Sequence, residues 1–161
     1  MTRRYARAPK GERAYGRVPR NRGKNTTLLA SMSLSGIGEA MAVEGATTKV
    51  VFETYVERLL APMLSPGQVV ILDNLAAHKS KRVLELIEGR GCQVLFLPAY
   101  SPDLSPIEEA FSKVKALLKK TAARAREELV EGIGWALEAV TTRDAAGWFA
   151  HCGYSPTAQP S

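Results

Sequence analysis

The residues best suited to chemistry in this 161-residue chain are two carboxylates, Asp73 and Glu108. Asp73 follows the apolar run Val69-Val-Ile-Leu72, and Glu108 ends the segment Leu97-Pro-Ala-Tyr-Ser-Pro-Asp-Leu-Ser-Pro-Ile-Glu108, with 34 residues between the two acids. Two carboxylates at a strand end and a helix start can bind divalent metal for chemistry at phosphorus. Such chemistry usually employs a third acid, yet no aspartate precedes Asp73. The pattern therefore predicts a metal site that lacks one member.

Each acid also has a purely structural interpretation. Asp73-Asn74 suits a turn that leaves the strand, because these side chains hydrogen-bond to their own backbone. Ser105-Pro-Ile-Glu108 suits a capping box, with Ser at the cap, Pro at the first helical position and Glu at the third. A cap does not require the longer segment before Ser105, nor the Asp-Asn-x-x-x-His pattern at Asp73, so the joint pattern favours a functional site.

The elements around these acids predict an α/β fold. Val69–Leu72 and Gln93–Leu97 are short apolar runs typical of buried parallel strands, and a helix from about Ser80 to Glu88 connects them. Residues 26–34 and 37–43 predict an antiparallel hairpin, which would make the sheet mixed. An acid directly after a buried parallel strand lies at the carboxyl end of the sheet, where open α/β sheets place their ligands.

Helices are predicted for the rest of the chain. Thr48 caps a helix that runs to about Leu60, and three helices begin at Pro106, Glu127 and Thr142. We expect residues 25–154 to form one domain, preceded by a basic segment, 1–24, and followed by a flexible tail, 155–161.

Composition indicates an ordinary globular protein, since 45% of the residues are apolar and 24% are charged. No apolar stretch approaches the roughly 18 residues of a membrane span, and no secretory signal is evident. We therefore expect a cytoplasmic protein. Cys92 and Cys152 lack metal-ligand spacing, so they are predicted to be buried thiols.

The positive charge is concentrated in residues 1–24, called here the basic head, which carries a formal +8 while the whole chain carries +6. Such a segment suits contact with a polyanion, and Tyr5 and Tyr15 favour nucleic acid because aromatic rings can stack on bases. A solvated head that only aids solubility is the alternative. The candidate DNA-binding residues are Arg3, Arg4, Arg7, Lys10, Arg13, Arg17, Arg20, Arg22 and Lys24.

Two longer motifs resemble a known family. Ile71-Leu-Asp-Asn-Leu-Ala-Ala-His78 and Phe96-Leu-Pro-Ala-Tyr-Ser-Pro-Asp-Leu-Ser-Pro-Ile-Glu-Glu-Ala-Phe111 are similar to the second and third acid motifs of DDE transposases. The match is to the bacterial insertion-sequence branch of the Tc/mariner superfamily. This resemblance implies a ribonuclease-H-like fold.

The resemblance also implies site residues and an activity. Asp73 and Glu108 would be catalytic acids that bind Mg²⁺ or Mn²⁺, and Asn74 and His78 would support them or contact DNA. For His78, an exposed position near the next helix cap is the alternative. The implied reaction is cleavage of double-stranded DNA and strand transfer by a homodimer. Glu109 is one residue off the matched position and Asp103 lies in a Pro-flanked turn, so both nearby acids rank below Glu108.

The chain departs from the family at its start. The first acid of the family lies on the first strand of the sheet, and we expect this chain to begin just after that strand, without the helix-turn-helix region. Position 105 is Ser where Asn is more usual. The expected function is therefore a transposase catalytic-domain fragment, inactive alone if the first acid is missing.

Three origins remain open for such a fragment. It is a downstream frame completed by an upstream-frame product, a truncated remnant, or a chain whose Asp is encoded ahead of a misassigned start. The alternative function is a non-catalytic DNA-binding remnant.

Overall fold

A β-hairpin opens the described part of the chain, which comprises residues 25–121 and 126–154 of this computed structural model. Strands β1 (Thr26–Ser33) and β2 (Gly36–Glu44) pair antiparallel, with Leu29 opposite Met41. Gly36 has φ +112°, a conformation that favours glycine and lets the chain reverse after Leu34-Ser35. The predicted hairpin is confirmed, whereas the basic head and the tail 155–161 lie outside the described residues.

The helix predicted after the hairpin is present but changes its winding. Helix α1 (Lys49–Tyr55) begins at its cap Thr48, whose hydroxyl accepts from the Val51 N–H at 3.3 Å. It continues as a π-helical turn, Val56–Leu60, and as the short α2, Ala61–Met63. Val56 and Leu60 are buried there, so the π-helical turn faces the core.

A βαβ unit follows, as predicted. Strands β3 (Val69–Leu72) and β4 (Gln93–Phe96) are parallel and in register, with Val69 opposite Gln93. A 3₁₀ turn, Ala76–Lys79, and helix α3, Lys81–Glu88, connect them. Cys92, just before β4, is a buried free thiol, as predicted.

Within residues 25–121 and 126–154, the antiparallel and the parallel strand pairs of the predicted mixed sheet are not hydrogen-bonded to each other. In the described part of the chain, β1 pairs only with β2, and β3 pairs only with β4. Both pairs nevertheless contribute to one core: Leu29 and Met41 of the hairpin, and Val70 and Leu72 of β3, pack with the buried face of α1. The hydrogen-bonded ladder is therefore interrupted between β1 and β3, while the apolar layer beneath it is shared.

A second core lies on the other face of the hairpin. Helices α4 (Pro106–Thr121), α5 (Arg126–Glu138) and α6 (Thr142–His151) form the helical C-terminal part that was predicted. Leu28 and Ile37 pack against this core, which is built from Val114, Leu118, Ile133, Ala136 and Val140. The hairpin therefore lies between two helical layers. No helix among the described residues is long and apolar enough to span a membrane.

Candidate functional site

Asp73 is the first residue after β3. The ladder ends beside it, where the Leu97 N–H donates to the Leu72 carbonyl at 2.8 Å. Asp73 Oδ1 accepts a hydrogen bond from the Leu75 N–H at 3.1 Å, so the turn predicted as its structural role is formed. The same oxygen contacts His78 Nδ1. Oδ2 makes no contact within the described residues and the side chain is 48% exposed, so turn formation leaves one oxygen open to a ligand.

His78 lies in the 3₁₀ turn and is not the exposed residue that the alternative interpretation required. Its side chain is 15% exposed and packs on the ring of Phe52, with 4.0 Å between ring centroids and an interplanar angle of 33°. Phe52 is itself buried in α1. The imidazole is therefore held between the first core and the Asp73 carboxylate. Asn74 is half-buried and makes no side-chain hydrogen bond within the described residues.

Glu108 lies in the first turn of α4. Its N–H donates to the Ser105 carbonyl at 3.0 Å. The predicted capping box is not formed: among the described residues, neither the Ser105 hydroxyl nor the Glu108 carboxylate takes part in a hydrogen bond or ion pair. The exposed Glu108 carboxylate therefore has no partner among the described residues and is available for a ligand.

The neighbouring acid Glu109 has a structural partner instead. Its Oε1 lies 3.2 Å from His151 Nδ1 of α6. The Tyr154 hydroxyl, just beyond α6, donates to the Leu104 carbonyl at 2.7 Å, so the C-terminal segment is tied to the approach to α4. Burial raises the pKa of the nearby Cys152 thiol, and the Glu109 and Asp103 carboxylates add to that rise. These contacts agree with ranking Glu109 below Glu108.

The segment between β4 and α4 contains one feature that the sequence analysis missed. Tyr100 has φ 60°, a left-handed conformation that is uncommon for a residue other than glycine, and its ring is fully exposed. An aromatic residue between Pro98 and Pro102 is the only sequence signal that marks the position. Tyr100 thus belongs to the surface of the segment that leads from β4 to Glu108.

The two acids have the donor chemistry of a site for Mg²⁺ or Mn²⁺, since both ions prefer carboxylate oxygens. Asp73 follows β3 directly, and Glu108 is reached from the carboxyl end of β4 through residues 97–105. Within the described residues, however, no group of three or more His, Cys, Asp or Glu side chains is placed to hold a metal ion. The two acids therefore fit such a metal in donor type.

Comparison with known proteins gives the family. A family profile described as DDE superfamily endonuclease matches residues 1–130. No curated protein matches the chain in sequence.

Several structures of the mariner transposase Mos1 are similar to this chain. The Mos1 strand transfer complex superimposes with a TM-score of 0.70 at 20% identity, over 93% of this chain and 45% of that chain. The Mos1 paired-end complex with the left transposon end gives a TM-score of 0.54 at 22% identity, over 94% of this chain and 51% of that chain. The Mos1 paired-end complex with Mn gives a TM-score of 0.52 at 22% identity, over 96% of this chain and 52% of that chain. The chain thus spans about half the length of these proteins.

These matches confirm the predicted ribonuclease-H-like α/β fold. The family profile covers most of the chain, including both acid motifs. This chain belongs to the DDE superfamily of endonucleases.

Proposed function

We propose that this chain is the catalytic-domain part of a DDE transposase, which cleaves DNA and transfers the strand with Asp73 and Glu108 as catalytic, metal-binding acids. The observation that carries the proposal is the exposed carboxylate of Glu108, which the described residues leave available for a ligand. Among the described residues this carboxylate takes part in no hydrogen bond or ion pair, so its direct structural contribution is limited to the favourable placement of an acid in the first helical turn. The family profile and the matching folds of Mos1 complexes supply the reaction class.

Divalent metal suits this site because Asp73 Oδ2 and the Glu108 carboxylate offer hard oxygen donors. When bound, Mg²⁺ or Mn²⁺ would stabilise the charge that develops on the attacking and leaving oxygens at phosphorus. The Mos1 complex with Mn is consistent with this choice of ion. His78 would orient Asp73 through its contact with Oδ1, while Oδ2 faces the ligand. The half-buried Asn74 would serve beside Asp73, supporting it or contacting DNA.

The partners we propose are double-stranded DNA, comprising transposon ends and target, and a second copy of the chain. Mos1 forms complexes with transposon-end DNA. The basic head, with its +8 charge, would contact DNA phosphates.

A further partner is a β-strand that carries the first aspartate. In the described residues β1 and β3 each have one hydrogen-bonded neighbour, and both strand pairs contribute to the same core. One inserted strand would satisfy both free edges and add the third acid. Its source would be a separate chain, such as an upstream-frame product. A non-catalytic DNA-binding remnant is the second candidate, favoured by the +8 charge of the basic head.

Mn²⁺ binding to the purified chain tests the site. The variant is Glu108→Gln, and the matched control is Glu109→Gln, which changes the adjacent acid that pairs with His151. We expect Glu108→Gln to weaken Mn²⁺ at least tenfold and to leave the unfolding free energy unchanged, while Glu109→Gln binds as the parent does. Equal Mn²⁺ affinity in Glu108→Gln and the parent would contradict the proposal, and a parent without measurable Mn²⁺ binding would favour the remnant.

A further inference from the structure

A buried serine begins helix α3 without capping it. Ser80 is 4% exposed, and apart from Tyr55 it is the one buried residue of the described chain whose side chain carries oxygen or nitrogen. It occupies the N-cap position, where a hydroxyl ordinarily accepts a backbone N–H of the first turn. The Ser80 side chain makes no such bond, although its carbonyl accepts from the Leu84 N–H at 3.2 Å. Helix capping therefore does not account for this hydroxyl.

The partner of the Ser80 hydroxyl is a carboxylate of another helix. The hydroxyl donates to Glu53 Oε1 of α1. The Glu53 side chain is 22% exposed, and the same oxygen lies 3.9 Å from Lys49 Nζ, one helical turn earlier. A hydrogen bond to an ionised acceptor is stronger than one between neutral groups, and burial of the donor shields it from water. This bond therefore joins the start of α3 firmly to α1.

Glu53 is an acid outside the candidate metal site. Within the described residues no three His, Cys, Asp or Glu side chains are placed to hold a metal ion, so Glu53 does not complete the pair Asp73 and Glu108. Its bonded partner, however, directly follows the 3₁₀ turn Ala76–Lys79. Any effect of Glu53 on the site therefore passes through that turn.

Two consecutive residues of α1 hold the 3₁₀ turn. The ring of Phe52 stacks on His78, with 4.0 Å between the ring centroids, and Glu53 accepts from Ser80, two residues after that histidine. Phe52 is 5% exposed, so this part of α1 is anchored in the first core. The turn is thus fixed from one helix at two points, and His78 between them contacts Asp73 Oδ1.

We propose that Glu53 is a positioning residue for Asp73. Its bond to Ser80 fixes the end of the 3₁₀ turn, and the turn keeps the His78 imidazole between the Phe52 ring and the Asp73 carboxylate. The inference rests on the proposed function for the metal-binding role of Asp73. Glu53 thus serves the site as an acid that does not touch the metal.

A second contact between the same elements supplies a matched control. Arg82 Nη2 donates to Glu57 Oε1 at 2.7 Å, and both side chains are about half exposed. Glu57 lies four residues after Glu53 in the π-helical turn, and Arg82 lies inside α3 instead of at the end of the 3₁₀ turn. Glu57→Ala therefore removes a carboxylate and a bond to α3 without releasing that turn.

The first test is the NMR spectrum of the two histidine rings in the full, metal-free chain. The Phe52 ring shifts the signals of a stacked imidazole, and His151 of α6 is the internal reference. We expect Glu53→Ala to move the His78 signals towards those of an unstacked ring. Glu53→Gln, whose amide oxygen still accepts from Ser80, and Glu57→Ala should keep the parent signals. Unchanged His78 signals in Glu53→Ala would overturn the proposal.

The second test is the Mn²⁺ affinity of the same variants. Glu53→Ala should bind Mn²⁺ about tenfold more weakly, as when a group that orients a ligand is lost, and Glu53→Gln should stay within about twofold of the parent. Ser80→Ala removes the same bond by a smaller change, so it should match Glu53→Ala and replaces it if that variant does not fold.

The two tests separate this inference from the proposed function. Moved His78 signals together with parent Mn²⁺ affinity would overturn the positioning role, because Glu53 would then only stabilise the fold. A parent that does not bind Mn²⁺ would contradict the proposed metal site, and the role of Glu53 towards that site would be overturned with it. In that case moved His78 signals would still show that Glu53 holds the turn.

Discussion

The imidazole of His78 is stacked on the ring of Phe52, with 4.0 Å between the ring centroids. Phe52 belongs to α1 and to the first core, whereas His78 belongs to the 3₁₀ turn after β3 and contacts Asp73. Through this ring contact, the buried helix α1 supports His78, which in turn contacts the Asp73 carboxylate at the end of β3.

Nδ1 of His78 lies beside Asp73 Oδ1 but forms no hydrogen bond among the described residues. We expect a polar nitrogen at this position to help hold Asp73 in place. In His78→Asn the amide nitrogen can take the place of Nδ1, so Mn²⁺ affinity should stay within about threefold of the parent. In His78→Leu no donor remains, and affinity should fall about tenfold or more, a loss typical when a group that orients a metal ligand is removed. Titration of Mn²⁺ measures both. Equal binding by the two variants would show that the contact does not orient Asp73.

Two substitutions of Asp73 should separate its effect on turn stability from its effect on metal binding. Asp73→Asn keeps an oxygen for the Leu75 N–H, so the free energy of unfolding should change by less than about 0.5 kcal/mol. Asp73→Ala loses that acceptor and should cost about 1 kcal/mol. Both variants should lose Mn²⁺ affinity, because neither has the charge. Urea unfolding measures stability, and a destabilised Asp73→Asn would mean that the charge itself holds the turn.

The environment of Asp144 predicts that the folded chain loses stability at low pH. The hydrogen bond from Lys113, and then those from the Thr141 N–H and hydroxyl, lower the pKa of Asp144 to about 2 from an ordinary 3.8. The unfolded chain binds this proton first as pH falls, so the stabilisation is present above about pH 4 and is lost as pH falls through about 2. The effect is modest because the side chain is partly exposed.

Asp144→Asn should therefore lose less stability than the parent between pH 4 and pH 2. Urea unfolding at several pH values in this window is the measurement, and Glu88→Gln, which changes an exposed acid of α3, is the control. Parallel stability curves for the parent and Asp144→Asn would contradict the assignment.

The basic head should supply most of the non-specific affinity for DNA. Replacing its nine arginines and lysines with glutamine removes nine charges, so duplex binding should weaken by several orders of magnitude at 150 mM salt. Anisotropy titrations on this variant and on the parent measure the effect, and unchanged binding would leave the head with a solubility role.

The local elements were predictable because their signals are local. Alternating apolar residues gave the hairpin, and two β-branched runs around an amphipathic helix gave the βαβ unit. The interruption between β1 and β3 was not predictable, since it depends on which strands meet in space. The π-helical turn at Val56–Leu60 was missed for a similar reason, because its winding is coupled to packing of Val56 and Leu60 in the core.

The candidate site was predictable in part. The two acids could be identified from their motifs, but the burial and hydrogen bonds of the side chains around them could not be predicted. His78 is covered by Phe52, which lies 26 residues earlier in the chain, so its burial is a tertiary property. Ser105 and Glu108 have the residue types of a capping box and do not form one, which shows that a pattern fixes the helix start more firmly than the hydrogen bonds around it.

The position of the hairpin between two cores has a consequence for folding fidelity. Leu28 packs on the α4–α5 side and Leu29 on the α1 side. A slip of β1 by one residue would put Leu28 in the place of Leu29, but it would also put Thr27 in the place of Leu28. Hydrophobic burial therefore penalises that misalignment. The Leu34-Ser35 turn, the irregularity between Ala30 and Met32, and the Thr27 hydroxyl bonded to the Gly45 carbonyl support the same alignment. A one-residue insertion in the turn would set the turn against the alignment that both cores require.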